Sequence, residues 1–168
     1  MQAKYRHGGG NILTDKEIME PIKAFLLAYP FTAPLNSIDI DYGQVDRSDH
    51  KGEGNALRFA SRLKITERKN VWGVITETWR INFTLAMRRY TNDNNSRREI
   101  SEFILRFIQW VNDENRKRGK PGENPLLPHF SDTDEETISA DGGGQTATLD
   151  PTRDEFQIAL HLDFQIEN

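Results

Sequence analysis

Two runs decide the fold: Leu57-Arg58-Phe59-Ala60-Ser61-Arg62-Leu63-Lys64-Ile65 and Thr78-Trp79-Arg80-Ile81-Asn82-Phe83-Thr84-Leu85-Ala86-Met87-Arg88. In the first, Leu57, Phe59, Leu63 and Ile65 share one side and Arg58, Arg62 and Lys64 the other. In the second, Trp79, Ile81, Phe83, Leu85 and Met87 alternate with Thr78, Arg80, Asn82, Thr84 and Arg88. Side chains along a strand point to opposite faces with period two, so this is a long β-hairpin with one apolar and one basic face. The polar run Glu67-Arg68-Lys69-Asn70 is expected to reverse the chain between the strands.

Helical periods flank the hairpin. On its N-terminal side, Thr14 and Glu17 have the spacing of a capping box, and Ile18, Ile22, Phe25, Leu26 and Tyr29 then recur on one helical face. Pro21 lies inside that stripe, where a missing N–H and a clash with the previous turn predict a kink or a later start. Pro30 and Pro34 end the helix, and Ile38–Tyr42 alternates as a short half-buried strand. On the C-terminal side, Ser96 and Glu99 suggest a second capping box before the stripe Ile100, Phe103, Ile104, Phe107, Ile108, Val111. This helix should run to about Arg116, where the cations Arg116, Lys117 and Arg118 suit the negative end of the helix dipole; Gly119 and Pro121 then stop it.

Ile138 marks a brief strand, Gly142-Gly143-Gly144 a flexible hairpin, and the strict alternation Phe156, Ile158, Leu160, Leu162, Phe164, Ile166 a closing strand. The order α-β-β-β-α-β-β specifies an α+β domain, two helices packed on one face of an antiparallel sheet. At 168 residues, one domain over 1–168 is expected, with residues 1–13 a mobile arm and residues 43–55 and 117–133 long polar loops.

Composition removes several function classes. There is no cysteine, which excludes a disulfide framework, a thiol nucleophile and thiolate zinc sites. No apolar run reaches the length of a membrane span, and the start Met1-Gln2-Ala3-Lys4-Tyr5-Arg6-His7 lacks a signal-peptide stretch, so an intracellular origin and no membrane partner are expected. His7, His50, His129 and His161 lack metal-ligand spacing, and His161 with Asp163 reads as a solvated polar face before it reads as an acid–base or metal pair. Asp132, Asp134, Glu135 and Glu136 have Thr137 where a calcium loop needs glycine, and the glycine triplet lacks the Gly-Lys-Ser/Thr of a phosphate loop. No nucleophile, base and orienting group can be assembled, so the expectation is no enzyme, no cofactor and no metal.

The net charge of −4 conceals two opposed blocks. Residues 57–118 hold 14 Lys/Arg and 7 Asp/Glu, a net of +7; residues 132–168 hold one Arg and 10 acids, a net of −9. The basic face invites a nucleic-acid reading, but the aromatics Phe59, Trp79 and Phe83 fall on the other, core-building side, where bases could not stack. Trp110, beside the second helical stripe, reads as a core edge. The cations Arg58, Arg62, Lys64, Arg80 and Arg88 are therefore expected to meet acids of the C-terminal block, such as Asp163 and Glu167, within one sheet or across a subunit boundary.

The second half of the chain carries a more specific signal. Phe107-Ile108-Gln109-Trp110-Val111-Asn112-Asp113-Glu114-Asn115-Arg116, followed by Leu127-Pro128, resembles the helix-end and loop signature of the tail terminator and minor capsid proteins of long-tailed phages. Phe156-Gln157-Ile158-Ala159-Leu160-His161-Leu162-Asp163-Phe164 is similar to the strand that closes that family. The resemblance implies a structural virion protein: a ring of six copies at the head-proximal end of the tail, assembled in the host cytoplasm. Such a ring stops polymerisation of the tail-tube protein and presents a surface to the head-completion or connector proteins. Another neck component, a head–tail connector or stopper, is the alternative of the same class, and a nucleic-acid-binding module on the basic face is the alternative of a different one. With a ring in view, the opposed charge blocks offer a heterologous interface between neighbouring copies.

Overall fold

The computed structural model describes residues 13–31, 37–41, 53–91, 93–131, 135–150 and 152–168. In chain order the elements are α1 (Asp15–Leu27), β1 (Asp39–Asp41), β2 (Gly54–Lys69), β3 (Ile75–Tyr90), α2 (Asn94–Arg116), β4 (Thr137–Asp150) and β5 (Arg153–Glu167). This is the α+β architecture and element order that the hydrophobic periods specify. The five strands form one sheet in the order β1-β2-β3-β5-β4. The sheet is mixed, because β1 runs parallel to β2 through Asp39↔Ala56, Ile40↔Leu57 and Asp41↔Arg58; every other pairing is antiparallel.

Both helices cover one face. Ile18, Met19, Ile22, Phe25 and Leu26 of α1 and Ile100, Phe103, Ile104, Phe107, Trp110 and Val111 of α2 meet Ile81, Phe83, Leu85 and Met87 of β3 and Phe156 to Phe164 of β5 in one core. Phe25 and Trp110 stack across the two helices at 4.9 Å, and Tyr29 sits edge-on to Phe103, Phe107 and Trp110. Aromatic pairs in these offset and edge-on geometries add to the stabilisation their buried area already provides.

Helix starts follow side-chain capping. Thr14 and Glu17 form the expected capping box, with the Thr14 N–H donating to Glu17 Oε2 at 2.7 Å and the Glu17 N–H to Thr14 Oγ1 at 3.3 Å. Pro21 is accommodated within α1, held by its buried stripe, and neither stops nor delays it. Leu13, expected in the arm, is buried in the core, while residues 1–12 lie outside the described part. The cap of α2 is Asp93, whose Oδ1 accepts the Ser96 N–H at 2.8 Å, not Ser96 itself. The helix starts one turn earlier, and the Ser96 hydroxyl also donates to Asp93 Oδ1 at 3.0 Å, which places a carboxylate at the positive end of the helix.

The β2–β3 turn lies later than the charged run suggests. β2 extends through Lys69, and the reversal is Asn70-Val71-Trp72-Gly73-Val74. Asn70 Oδ1 accepts from the N–H groups of Trp72 and Val74, and Gly73 takes φ +84°, a value only glycine adopts without strain.

The glycine triplet is not a turn. Gly142, Gly143 and Gly144 lie inside β4, which is 14 residues long where only a brief strand at Ile138 was expected. A Cβ on Gly143 would stand 2.9 Å from Ile104 Cγ2 and 2.8 Å from the Gln157 carbonyl oxygen, so the missing side chain lets α2 close on the sheet. Of the two polar loops expected, most of 43–55 lies outside the described residues, and Gly54 and Asn55 already belong to β2. The other is tied down over 117–131: Leu127 is buried, the Arg118 guanidinium donates to the Pro128 carbonyl at 2.7 Å, and Glu136 accepts the N–H groups of Phe130 and Ser131.

Candidate interaction surface

The face of the sheet away from the helices is polar and internally neutralised. Arg80 on β3 lies opposite Asp163 on β5 and makes a bidentate pair with it, Nε to Oδ1 and Nη2 to Oδ2, both at 2.8 Å. These hydrogen bonds raise the Arg80 pKa further above its ordinary value, fixing the charge. Arg58 on β2 reaches across β3 to Glu155 on β5 at 3.3 Å. Arg88 stands in register with Glu155, and Glu167 with Thr76. The cross-strand meeting of the basic hairpin with the acidic C-terminal block thus occurs inside one chain for Arg58 and Arg80.

Arg62 and Lys64 depart from the expected face. β2 changes register between Phe59 and Ser61 and again between Lys64 and Thr66, and each bulge inverts the alternation beyond it. Arg62 therefore pairs with Ile81 on the helix side, donating to the Leu13 carbonyl at 2.8 Å and to Asp15 at 3.0 Å, where it ties the start of α1 to the sheet. Lys64 meets Glu67 and Glu77 of its own hairpin at 2.7 and 3.3 Å, and neither belongs to the C-terminal block. The same inversion leaves Leu63 and Ile65, counted on the apolar face by alternation alone, 53% and 44% exposed.

The distal half of the hairpin is the feature that the sequence pattern did not single out. Beyond Phe59, among the described residues, no strand lies outside β2, because β1 reaches only Ala56 to Arg58. Leu63 and Ile65 are exposed along this stretch, and Val71 and Trp72 at its tip are 92% and 86% exposed. The Asn70 hydrogen bonds hold that tip in one shape, so the indole is presented by a built turn. An apolar side chain following an asparagine in a Gly-containing turn was the available signal for it.

The histidine and acid candidates separate. His161 Nδ1 contacts Asp141 on β4 at 2.7 Å, while Asp163 is engaged by Arg80, so the two do not form one site. Trp110 is in the core, as read. Among the described residues no group of three or more His, Cys, Asp or Glu could hold a metal ion. No helix there is long and apolar enough to cross a membrane. One buried charged pair stands apart: Glu136, whose carboxyl burial pushes up to about 7 against the opposing pull of Arg118 3.7 Å away and its backbone N–H bonds. Its bonds hold the 117–131 segment to the start of β4, which makes it a structural group.

No protein-family model matches the chain, and no curated protein matches it.

Proposed function

We propose that this chain is a ring-forming structural protein of the phage tail, a tail terminator that caps the tail tube, halts its growth and offers the head-attachment surface. The observation that carries the reading is the bare distal half of the β2–β3 hairpin: a lone subunit leaves Leu63, Ile65, Val71 and Trp72 in water at the end of a braced turn. Four exposed apolar side chains along one hairpin arm are what a partner would cover. The motif residues that resemble the terminator family agree with a structural role. Phe107, Trp110, Val111, Leu127, Phe156, Ile158, Leu160, Leu162 and Phe164 are all in the core.

Neutralisation of Arg58 by Glu155 and of Arg80 by Asp163 weakens the nucleic-acid alternative, which needs cations free to displace counterions from phosphates. The test is the mass of the purified chain in low salt, alone and with tail-tube protein. A ring of about six copies that binds tube ends supports terminator function. Tails assembled without the protein separate the neck alternatives: overlong tubes identify a terminator, whereas tails of normal length detached from heads identify a connector or stopper. A chain that stays monomeric and ignores tube ends contradicts the ring.

A further inference from the structure

The long strands β2 and β4 flank the sheet, each is covered over part of its outer edge, and the uncovered parts lie diagonally opposite. On one side, β1 covers β2 at Ala56 to Arg58 and leaves Ser61 to Lys69 without an outer neighbour among the described residues. On the other side, α2 caps the first part of β4 with side-chain amides. Asn115 Oδ1 accepts the Ile138 N–H at 2.9 Å, and Asn112 both accepts the Ala140 N–H at 3.0 Å and donates to the Ala140 carbonyl at 3.2 Å. Beyond Ala140 the described residues supply no such cap, so among them the outward backbone groups of Gly142 to Leu149, whose inner groups pair with β5, have no partner. Unpaired strand edges template pairing with another chain unless they are covered or blunted.

We propose that the open half of β2 in one copy pairs with the open half of β4 in the next, carrying one sheet from subunit to subunit. This rests on the ring reading above and names its interface. Three features of the molecule agree on a second copy as the occupant.

Polarity is the first. β2 and β5 run one way and β3 and β4 the other, so a neighbour related by rotation about the ring axis brings β4 beside β2 antiparallel, the more stable pairing.

Charge is the second. Ser61 to Lys69 carries Arg62, Lys64, Arg68 and Lys69 against Glu67, whereas the open half of β4, Gly142 to Leu149, carries no charged residue. Arg62 and Lys64 have partners within the chain, and Arg68 and Lys69 have none among the described residues. Two β2 edges brought together would repel, whereas the uncharged open half of β4 meets β2 without that penalty.

Stagger is the third. The register Gln145↔Phe156, Phe156↔Met87 and Met87↔Asn55 puts the open half of β4 level with the start of β2. Matching it to Ser61–Lys69 of a neighbour shifts successive copies by about seven to nine residues, roughly 23–30 Å, across four strand spacings of roughly 19 Å. Closing such a sheet without a rise tilts its strands by about 50–58° from the ring axis, steeper than the roughly 35–45° of closed barrels. The bulges in β2 divide its open half into Ser61–Lys64 and Thr66–Lys69, and β4 shifts register between Gln145 and Ala147, so the pairing is built from short ladders.

The chain has no cysteine, so engineered thiols report the contact directly. Thr66 and Thr148 are exposed, one on each open half. Thr66→Cys/Thr148→Cys treated with a short bis-maleimide should give a ladder of cross-linked species up to the ring number, and either single variant should stay uncross-linked. Arg68→Glu/Lys69→Glu, at exposed positions outside the core, should weaken assembly at least tenfold with an unchanged circular dichroism spectrum. Efficient dimers from Thr66→Cys alone would mean that β2 meets β2, and would overturn the proposal. A wild-type ring by native mass with no cross-linked ladder overturns this interface and leaves the ring reading standing. A wild-type monomer at high concentration overturns both.

Discussion

Gly143→Ala should destabilise the fold, although the residue lies in a run of three glycines that sequence alone treats as interchangeable. The added Cβ would stand 2.8 Å from the Gln157 carbonyl oxygen, 2.9 Å from Ile104 Cγ2 and 3.1 Å from Ile158 Cγ1. Ile104 can yield by moving α2 a few tenths of an ångström. The Gln157 carbonyl belongs to β5, paired on both sides, and cannot move without disturbing β3 as well as β4. Overpacking of this kind costs about 1–3 kcal/mol. Against it stands the loss of glycine's freedom in the unfolded chain, worth about 0.4–1 kcal/mol in favour of alanine. The net is a loss of about 1–2 kcal/mol, or roughly 2–8 °C in Tm for a domain of this size. Gly142→Ala and Gly144→Ala are the controls, since nothing stands within 4 Å of either added methyl. Both should be neutral or slightly stabilising. Urea unfolding followed by circular dichroism, with tryptophan fluorescence, to which the core Trp110 contributes beside Trp72 and Trp79, as a second signal, measures all three. A Gly143→Ala variant as stable as its two controls would refute the close approach of α2 to β4 and the packing drawn from it.

Removing the Arg80–Asp163 pair, with one partner 38% exposed, should cost about 1 kcal/mol by double-mutant cycle in Arg80→Ala and Asp163→Asn, declining in high salt. Glu136, raised from 4.5 to about 7 by burial, binds an extra proton in the folded state between those values. Stability should therefore fall as pH rises through that window, by at most about 3 kcal/mol, and level off above it. Glu136→Gln should flatten that slope and match or exceed the wild type at pH 8, as read by urea midpoints across pH; an unchanged slope assigns the effect elsewhere. Trp72→Ala removes a side chain with almost no internal contact, so it should leave the Tm of isolated subunits unchanged while reducing assembly, as read by calorimetry beside native mass. Retention on DNA in low salt should be negligible, and strong salt-sensitive binding would restore the nucleic-acid reading.

Much of the fold was legible because its helices and inner strands bury strict periods. The stripe from Ile100 to Val111 and the alternation from Phe156 to Ile166 each admit one conformation that hides the apolar residues, and both occur. The Thr14–Glu17 box was legible for a local reason, since both of its bonds span three residues. The failures came where a distant partner decides. Whether a glycine run is a turn or a strand depends on what approaches it, and α2 approaches Gly143 from some forty residues away in sequence. The direction of β1 depends on how α1 carries the chain over the sheet, which no residue of Asp39–Asp41 records.

The candidate surface divides along the same line. That a basic hairpin and an acidic C-terminal block coexist in one α+β domain follows from the order of the residues, because charge and period are local properties. Which cation meets which acid was a tertiary decision. Register across β3 and β5 set Arg80 against Asp163, while the bulge between Phe59 and Ser61, invisible as a period, turned Arg62 toward the α1 start and Leu63 out to water. One inserted residue inverts every side chain beyond it, so the composition of the hairpin was fixed by its sequence but its faces only by the fold.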